Sequence, residues 1–297
     1  MEATIKLPDW LSTDAWPWPV RAVATPAGRI AFTDTGSGPT LLLAHVGFWS
    51  FIWRDLILEL ATDFRVVTFD TPGAGLSERM RWREASLSRA AEGVAALVDA
   101  LQLDRFTLIV HDVGGPVGLA AVATMPERVA GIVAINTYAW RPAGLIFPPF
   151  VRLMGSGPMR LLDATTGLIP RFTASRFGAG RRWSPADRRT FLRGLDATAV
   201  RTWHRYLQDA GRGTEIYGQA ERTITGRLAD RSLLTVFGQW GDYLHFQPRW
   251  RALYPTAVQR VIPRGFHFPM GDDPHRVAAW IRQWHPTTAA SAAHVNP

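Results

Sequence analysis

Leu108-Ile109-Val110-His111-Asp112-Val113-Gly114-Gly115-Pro116-Val117-Gly118-Leu119 runs from apolar residues through a polar pair into glycines and then an alanine-rich stretch. This pattern predicts a buried strand that turns sharply into a helix, with Asp112 held at the turn. Glycine at 114 lets the helix start close to the strand. Asp112 admits two readings. It caps the following helix, as Asp often does, or its carboxylate stands at the turn as a nucleophile. The second reading restricts the chemistry. A carboxylate attacking an ester carbonyl gives a mixed anhydride, which is unproductive. A carboxylate attacking an sp³ carbon gives a stable alkyl ester that water can then hydrolyse. An Asp nucleophile here therefore points to carbon–halogen cleavage or epoxide opening.

On the N-terminal side, Arg21 to Thr35 alternates around Pro26-Ala27-Gly28 and predicts a hairpin. Thr40 to His45 and Phe64 to Phe69 are short buried strands, and Phe48 to Leu60 enters a helix by Trp53. The second strand runs into the glycine-rich loop Asp70-Thr71-Pro72-Gly73-Ala74-Gly75-Leu76-Ser77. Glu84 to Leu101 is helical, with its cap near Ser86. Beyond the central turn come a helix to Met125 and a strand from Val129 to Ile135. Strands alternating with helices predict a mostly parallel sheet covered on both faces. From about Tyr138 to Gly226 the strand rhythm stops and helical stretches replace it, one starting at Ser184-Pro185. Strands return at Leu233 to Phe237 and Val258 to Ile262. A last helix spans Pro274 to Trp284, and a small-residue tail from Pro286 is expected to fray. The expected division is a core of residues 1–137 and 227–297, with a helical cap of residues 138–226 inserted into it.

The 297 residues carry a formal charge of +8, and Lys6 is the only lysine, so the excess is arginine. These arginines are scattered rather than clustered on one element, which argues against nucleic acid as a partner. The absence of cysteine excludes disulfides, zinc–thiolate sites and a cysteine nucleophile. No metal or organic cofactor is implied. The first residues show no signal-peptide apolar region, and no apolar run approaches the ~20 residues that span a bilayer. A cytoplasmic protein with no membrane partner is the expectation, its partners being a small apolar organic substrate and water.

An ester on Asp112 needs a base to activate water and an acid to orient the base, on loops at the carboxyl ends of later strands. Leu233 to Phe237 is followed by Gly238-Gln239-Trp240-Gly241-Asp242, and Val258 to Ile262 by Pro263-Arg264-Gly265-Phe266-His267-Phe268. Taken singly, His267 suits a packed core histidine and Asp242 a turn residue. Together, in the chain order nucleophile, acid, histidine, they make a triad. His267 would take the water's proton, and Asp242 would hold the imidazole.

The stretch His111 to Leu119 resembles the elbow of haloalkane dehalogenases and their epoxide-hydrolase relatives. So do Asp70 to Ser77, Pro126-Glu127-Arg128-Val129, Asn136-Thr137-Tyr138-Ala139-Trp140, Trp53-Arg54 and the region of His267. The resemblance runs from about Pro8 to Trp284 and is weak across the cap. It implies an α/β-hydrolase fold, with a mostly parallel central sheet, helices on both faces and an inserted helical cap. It implies Asp112 as nucleophile, His267 as base and Asp242 as acid. Some members place the acid after the strand ending near Asn136, but Asn136 to Arg141 holds no carboxylate.

Two departures bear on the leaving group. Dehalogenases carry Trp straight after the nucleophile to hold the halide, and here that residue is Val113. The loop after the first buried strand reads His45-Val46-Gly47-Phe48-Trp49, one residue shorter than the family pattern and lacking its halide-binding Asn. Backbone N–H groups of Val113 and of Val46, Gly47 or Phe48 are then the candidates for an oxyanion or leaving-group site. Trp49, Trp140, Trp183, Trp203 and Phe268 are the candidate pocket residues, the tryptophans also as N–H donors. The leading expectation is a haloalkane-dehalogenase-like hydrolase. The alternatives are an epoxide hydrolase with the same triad, or a non-hydrolytic ligand-binding or cofactor-free monooxygenase descendant.

Overall fold

The run Phe106–Asp112 forms a central strand of a nine-stranded sheet. The architecture comes from a computed structural model, which describes residues 2–212 and 215–293. The strands in chain order are β1 (Ala3–Thr4), β2 (Arg21–Thr25), β3 (Gly28–Thr35), β4 (Thr40–Ala44), β5 (Arg65–Phe69), β6 (Phe106–Asp112), β7 (Val129–Thr137), β8 (Ser232–Gly238) and β9 (Val258–Ile262). Their order across the sheet is β1-β2-β3-β5-β4-β6-β7-β8-β9. The pairs from β5 through β4, β6, β7 and β8 to β9 are parallel, and β1, β2 and β3 add an antiparallel edge.

The helices are α1 (Arg54–Leu60), α2 (Leu87–Ala100), α3 (Gly114–Ala121), α4 (Phe147–Met154), α5 (Gly157–Thr166), α6 (Leu168–Thr173), α7 (Pro185–Arg193), α8 (Ala197–Gly211), α9 (Glu215–Arg222), α10 (Phe246–Leu253), α11 (Pro269–Asp272) and α12 (Pro274–Ala293). Strand side chains alternate between two apolar layers. Leu42, Ala44, Leu108, Val110, Ile132 and Ala134 face the layer of α2, α3 and α9. Their neighbours Leu41, Leu43, Ile109, Val133 and Ile135 face the layer of α1 and α12. A strand buried on both faces has no polar position to spare, so these segments read as continuous apolar runs.

Among the described residues no strand lies between β7 and β8; the stretch holds α4 to α9. Its starts follow local chemistry. Ser184 and Asp187 form a reciprocal capping box ahead of α7, with Pro185 at the first helical position. Ser156 caps α5 through the Met159 N–H, as Ser86 caps α2 of the core through the Arg89 N–H. The last helix of the stretch, α9, returns to the sheet layer, where Ile216, Tyr217 and Ala220 share a core cluster with α3. Several polar links tie the stretch to the core, among them one from α7 and one from α8. Arg54 pairs with Asp187 at 2.5 Å, and the Tyr206 hydroxyl of α8 donates to the Pro72 carbonyl at 3.1 Å.

Two boundaries differ from expectation: α3 ends at Ala121 rather than Met125, and the last helix runs longer. Helix α12 continues past Trp284 and Pro286 to Ala293. The alanine-rich tail has enough helix propensity to outlast the hydrogen bond that proline removes. The expected fraying of the last four residues lies outside the described residues.

Candidate active site

Asp112 sits where β6 ends and α3 is about to begin, with φ of +51°. Left-handed backbone is costly for a non-glycine residue and persists only where its surroundings enforce it. Here they do. The Thr137 hydroxyl donates to the Asp112 carbonyl oxygen at 2.5 Å. The register against β7 shifts between His111 and Asp112. Gly114, Gly115 and Gly118 let α3 press onto the sheet: added Cβ atoms would lie 2.5 Å from the Ala44 carbonyl oxygen, 2.0 Å from Thr137 Oγ1 and 2.9 Å from Val110 Cγ1. The turn is therefore a sharp strand–Asp–helix elbow. Asp112 is not the side-chain cap of α3, which has no side-chain cap hydrogen bond.

His267 lies on the loop after β9, its Nε2 3.7 Å from Asp112 Oδ2. Burial pushes the Asp112 carboxyl up, but the hydrogen bond and charge of His267 lead the opposing groups and hold it well below the usual carboxylate range. The carboxylate is ionised at neutral pH.

Behind this pair is a buried histidine relay. His111 Nε2 lies 2.8 Å from the His267 carbonyl oxygen, and His111 Nδ1 lies 3.1 Å from His45 Nδ1. A carbonyl only accepts, so His111 carries its proton on Nε2, and His45 donates from Nδ1 to the free lone pair of His111. Burial pulls His111 well below its ordinary value, and pulls His45 down to about 4 against the raising effect of Asp112. Both rings are neutral at neutral pH, so the relay fixes the His267 backbone without adding charge. A consequence follows for stability. The unfolded chain takes up a proton on His45 below about pH 6.5, whereas the folded chain does so only near pH 4. Stability therefore falls as pH drops through that window, by about 3 kcal/mol at its lower end from His45 alone. Denaturant melts of wild type and His45→Asn at a series of pH values should show a shallower pH dependence in the variant.

Asp242 is engaged at a helix start rather than with His267. Its two carboxylate oxygens accept the N–H groups of Phe246 (2.7 Å) and Gln247 (3.1 Å) at the head of α10. Among the described residues no hydrogen bond or ion pair joins it to His267. The loops themselves do meet. Trp240 N–H donates to the Gly265 carbonyl at 2.8 Å, and a Cβ on Gly241 would lie 2.3 Å from the Phe266 carbonyl oxygen. A carboxylate the sequence did not single out, Asp272, supports the His267 loop more directly. It is almost fully buried, accepts the Phe266 N–H at 2.6 Å and pairs with Arg181 of the helical stretch at 3.2 Å. Nothing in the sequence marks it, because its role depends on the path of the loop.

The loop after β4 is shaped by two residues of the glycine-rich segment. Buried Asp70 accepts Ser50 N–H (2.7 Å), Ser50 Oγ–H (2.6 Å) and Leu76 N–H (2.7 Å). Thr71 Oγ1 accepts the Gly47 N–H at 3.2 Å, which takes Gly47 out of the oxyanion candidates. No loop or side-chain hydrogen bond among the described residues takes the N–H of Val46, Phe48 or Val113.

The pocket candidates divide. Phe268 packs on His111 and His267, with ring centroids 4.9 and 5.0 Å apart. Trp203 lies over Gly47 and stacks on Phe48 at 5.7 Å. Trp140 is buried against Trp250 and Phe246. Trp49 and Trp183 are corrected as leaving-group donors. The Trp49 indole N–H donates to the Phe191 carbonyl at 3.0 Å, and the Trp183 side chain hydrogen-bonds the Asp55 carboxylate. Both belong to aromatic packing around Phe51 and Phe191.

A parallel sheet with this elbow, a histidine on the last strand's loop and helices inserted after β7 defines an α/β-hydrolase. Known proteins agree. The alpha/beta hydrolase fold family matches residues 39–161. Haloalkane dehalogenase 2 of Mycobacterium bovis is 32% identical over 285 residues, covering 90% of this chain and 94% of that protein. Among solved structures, a haloalkane dehalogenase loop variant (DbeA-M1) from Bradyrhizobium elkanii superposes with a TM-score of 0.76 at 16% identity, over 93% of this chain and 99% of that one. The epoxide hydrolase CorEH superposes with a TM-score of 0.71 at 19% identity, over 90% and 98%. The chain belongs to the haloalkane dehalogenase family of the α/β-hydrolase superfamily, and it is an enzyme of that fold.

Proposed function

We propose that this hydrolase attacks an sp³ carbon of a small apolar organic substrate with the Asp112 carboxylate, as a haloalkane-dehalogenase-like enzyme. The observation that carries the reading is the ionised Asp112 carboxylate on a strained elbow, 3.7 Å from the imidazole of His267. Such contacts tighten when substrate binds. In the first step the carbon–halogen bond breaks, its electron pair leaves with the halide, and an alkyl ester forms on Asp112. In the second, His267 takes a proton from water and the hydroxide adds to the ester carbonyl. The oxyanion so formed meets the N–H groups of Val113 and of Val46 or Phe48. The intermediate collapses, His267 returns the proton to the leaving alkoxide, and an alcohol departs. The proton left on Asp112 passes to solvent.

The reading is tested by a panel of chlorinated, brominated and iodinated alkanes and of epoxides, with halide and diol measured in parallel. Bromide and iodide release faster than chloride release is expected, because Val113 offers no side-chain N–H to a poor leaving group. Diol alone would replace halide by oxygen, and turnover of neither would remove the reading. One observation favours oxygen as the second reading. Tyr138 is buried beside Tyr217, and burial first, then the charges of Tyr217 and Asp112, keep its hydroxyl protonated. An opening epoxide needs such an O–H donor. The two tyrosines of the helical stretch are less free, since Tyr206 donates to Pro72 and Tyr217 to Ala210.

Asp242 is retained as the proposed orienting acid, because each carboxylate oxygen has a second lone pair beyond the one used on α10. Asp242→Asn is expected to lower turnover at least tenfold, with a loss of about 1 kcal/mol of stability from the weakened cap. Near-wild-type turnover in a folded variant would transfer the role to Asp272.

A further inference from the structure

The helical stretch presents an outer face that water does not satisfy. Leu145 is 94% exposed, and Phe150, Leu153, Leu161, Leu168 and Phe172 on α4, α5 and α6 are between 45% and 62% exposed. The inner faces of the same helices are already used, by Val151, Met154, Asp163, Pro170 and Thr173. The outer residues are therefore surplus to the core. Soluble proteins rarely leave so much apolar surface together without a partner for it.

The charge on this face has one sign. Residues 141–182 hold seven arginines and one acid, Asp163. That acid is buried and engaged by His204 at 2.8 Å. Arg152, Arg171 and Arg176 stand exposed among the leucines and phenylalanines. At the edge, Arg160 lies 4.0 Å from the Trp82 ring centroid and Arg83 lies 4.6 Å from it. Burial first, and then the charges of Arg83, Arg201 and Arg205, make Arg160 easier to deprotonate. None of Arg83, Arg152, Arg160, Arg171 and Arg176 has an ion-pair partner among the described residues. Like charges crowded without a counter-ion repel one another, so the edge at Arg160 and Arg83 favours an external anion, and the exposed arginines of α4 to α6 extend the same sign of charge.

We propose that the outer face of α4, α5 and α6 seats the protein on an anionic phospholipid bilayer. Acyl chains take the exposed leucines and phenylalanines, and lipid phosphates take the arginines. Bare nucleic acid would satisfy the arginines and leave the apolar residues wet. A second copy would bring two cationic faces together. No helix among the described residues is long and apolar enough to cross a membrane, so the contact lies in the interface plane. The expectation of no membrane partner rested on the lack of a long apolar run. Here the surface is assembled from three short helices, none of which carries such a run.

Cosedimentation of the full chain with vesicles tests the proposal. Wild type is expected to bind phosphatidylglycerol–phosphatidylcholine vesicles, to release as salt rises, and to bind phosphatidylcholine alone far more weakly. Arg152→Glu/Arg171→Glu/Arg176→Glu should weaken partitioning about 100-fold or more. Leu145→Ser/Phe172→Ser should weaken it about tenfold or more. Circular dichroism and melting temperature should be unchanged in both, since all five side chains face solvent. Failure to bind anionic vesicles, equal binding to neutral ones, or wild-type binding by both variants would overturn it. So would concentration-dependent self-association that the serine variant abolishes in the absence of vesicle binding.

Discussion

His267→Phe protein incubated with a bromoalkane is expected to gain the mass of one alkyl group, and the adduct should map to Asp112. The two half-reactions use different groups. Ester formation needs only the ionised carboxylate and a leaving group, and neither requires the imidazole. Ester hydrolysis needs a base for water, and general-base catalysis contributes about 10²–10⁴-fold. Phenylalanine keeps an aromatic ring in the packing with His111 and Phe268 while removing Nε2. The backbone of residue 267 stays in place through its carbonyl, which accepts from His111 whatever side chain it carries. Steady-state turnover should fall by the same 10²–10⁴-fold, and intact-mass spectrometry should find the protein esterified. An adduct on another residue would end the covalent Asp112 scheme. Wild-type turnover with an unmodified His267→Phe protein would do the same.

How far this site was legible in the sequence depends on what each residue's role rests on. The strands were legible because a strand buried on both faces leaves an unbroken apolar run, as in Leu108 to Val110. The elbow was legible because glycines at 114, 115 and 118 are needed wherever a helix crowds a strand. His267 was legible from its place after a strand. The partners of these residues were not. An Asp in a strand-end loop serves an imidazole or a helix N-terminus equally well, and Asp242 binds the amides of α10. The tryptophans misled for a similar reason. An indole N–H satisfied by a distant carbonyl, as in Trp49 and Phe191, leaves no mark within 142 positions of chain. The histidine relay had a signal that went unused. Strands β4 and β6 are in parallel register from Thr40↔Phe106 to Ala44↔Val110, so His45 and His111 follow as the next pair. Each histidine stands one position beyond the last pair of that register, so the pairing of the two strands is enough to bring the rings together.

Gly115→Ala is expected to cost about 3 kcal/mol or more in stability and, in whatever fraction folds, about 100-fold in turnover. The added methyl group would lie 2.0 Å from Thr137 Oγ1 and 2.4 Å from the Tyr138 carbonyl oxygen. One of these is backbone in the loop that leaves β7, and the other is a side chain whose hydroxyl holds the elbow. Neither is the loose end of a flexible chain, so α3 must lift away from the sheet or Thr137 must turn. If Thr137 turns, the Asp112 carbonyl loses its donor and the φ of +51° loses the contact that enforces it. If α3 lifts, the Val113 N–H moves with it, and an oxyanion donor displaced by about 1 Å no longer meets the tetrahedral intermediate. Both routes damage chemistry through the fold, and they separate by experiment. Thr137→Ala removes the hydroxyl and the volume that faces α3. Paired with Gly115→Ala, it should recover stability by easing the overlap while leaving turnover low, because the elbow is then unbraced. Denaturant unfolding with single-turnover ester formation measures both. A Gly115→Ala protein with wild-type stability and wild-type ester formation would show that the close approach of α3 to β7 does not set the position of Asp112.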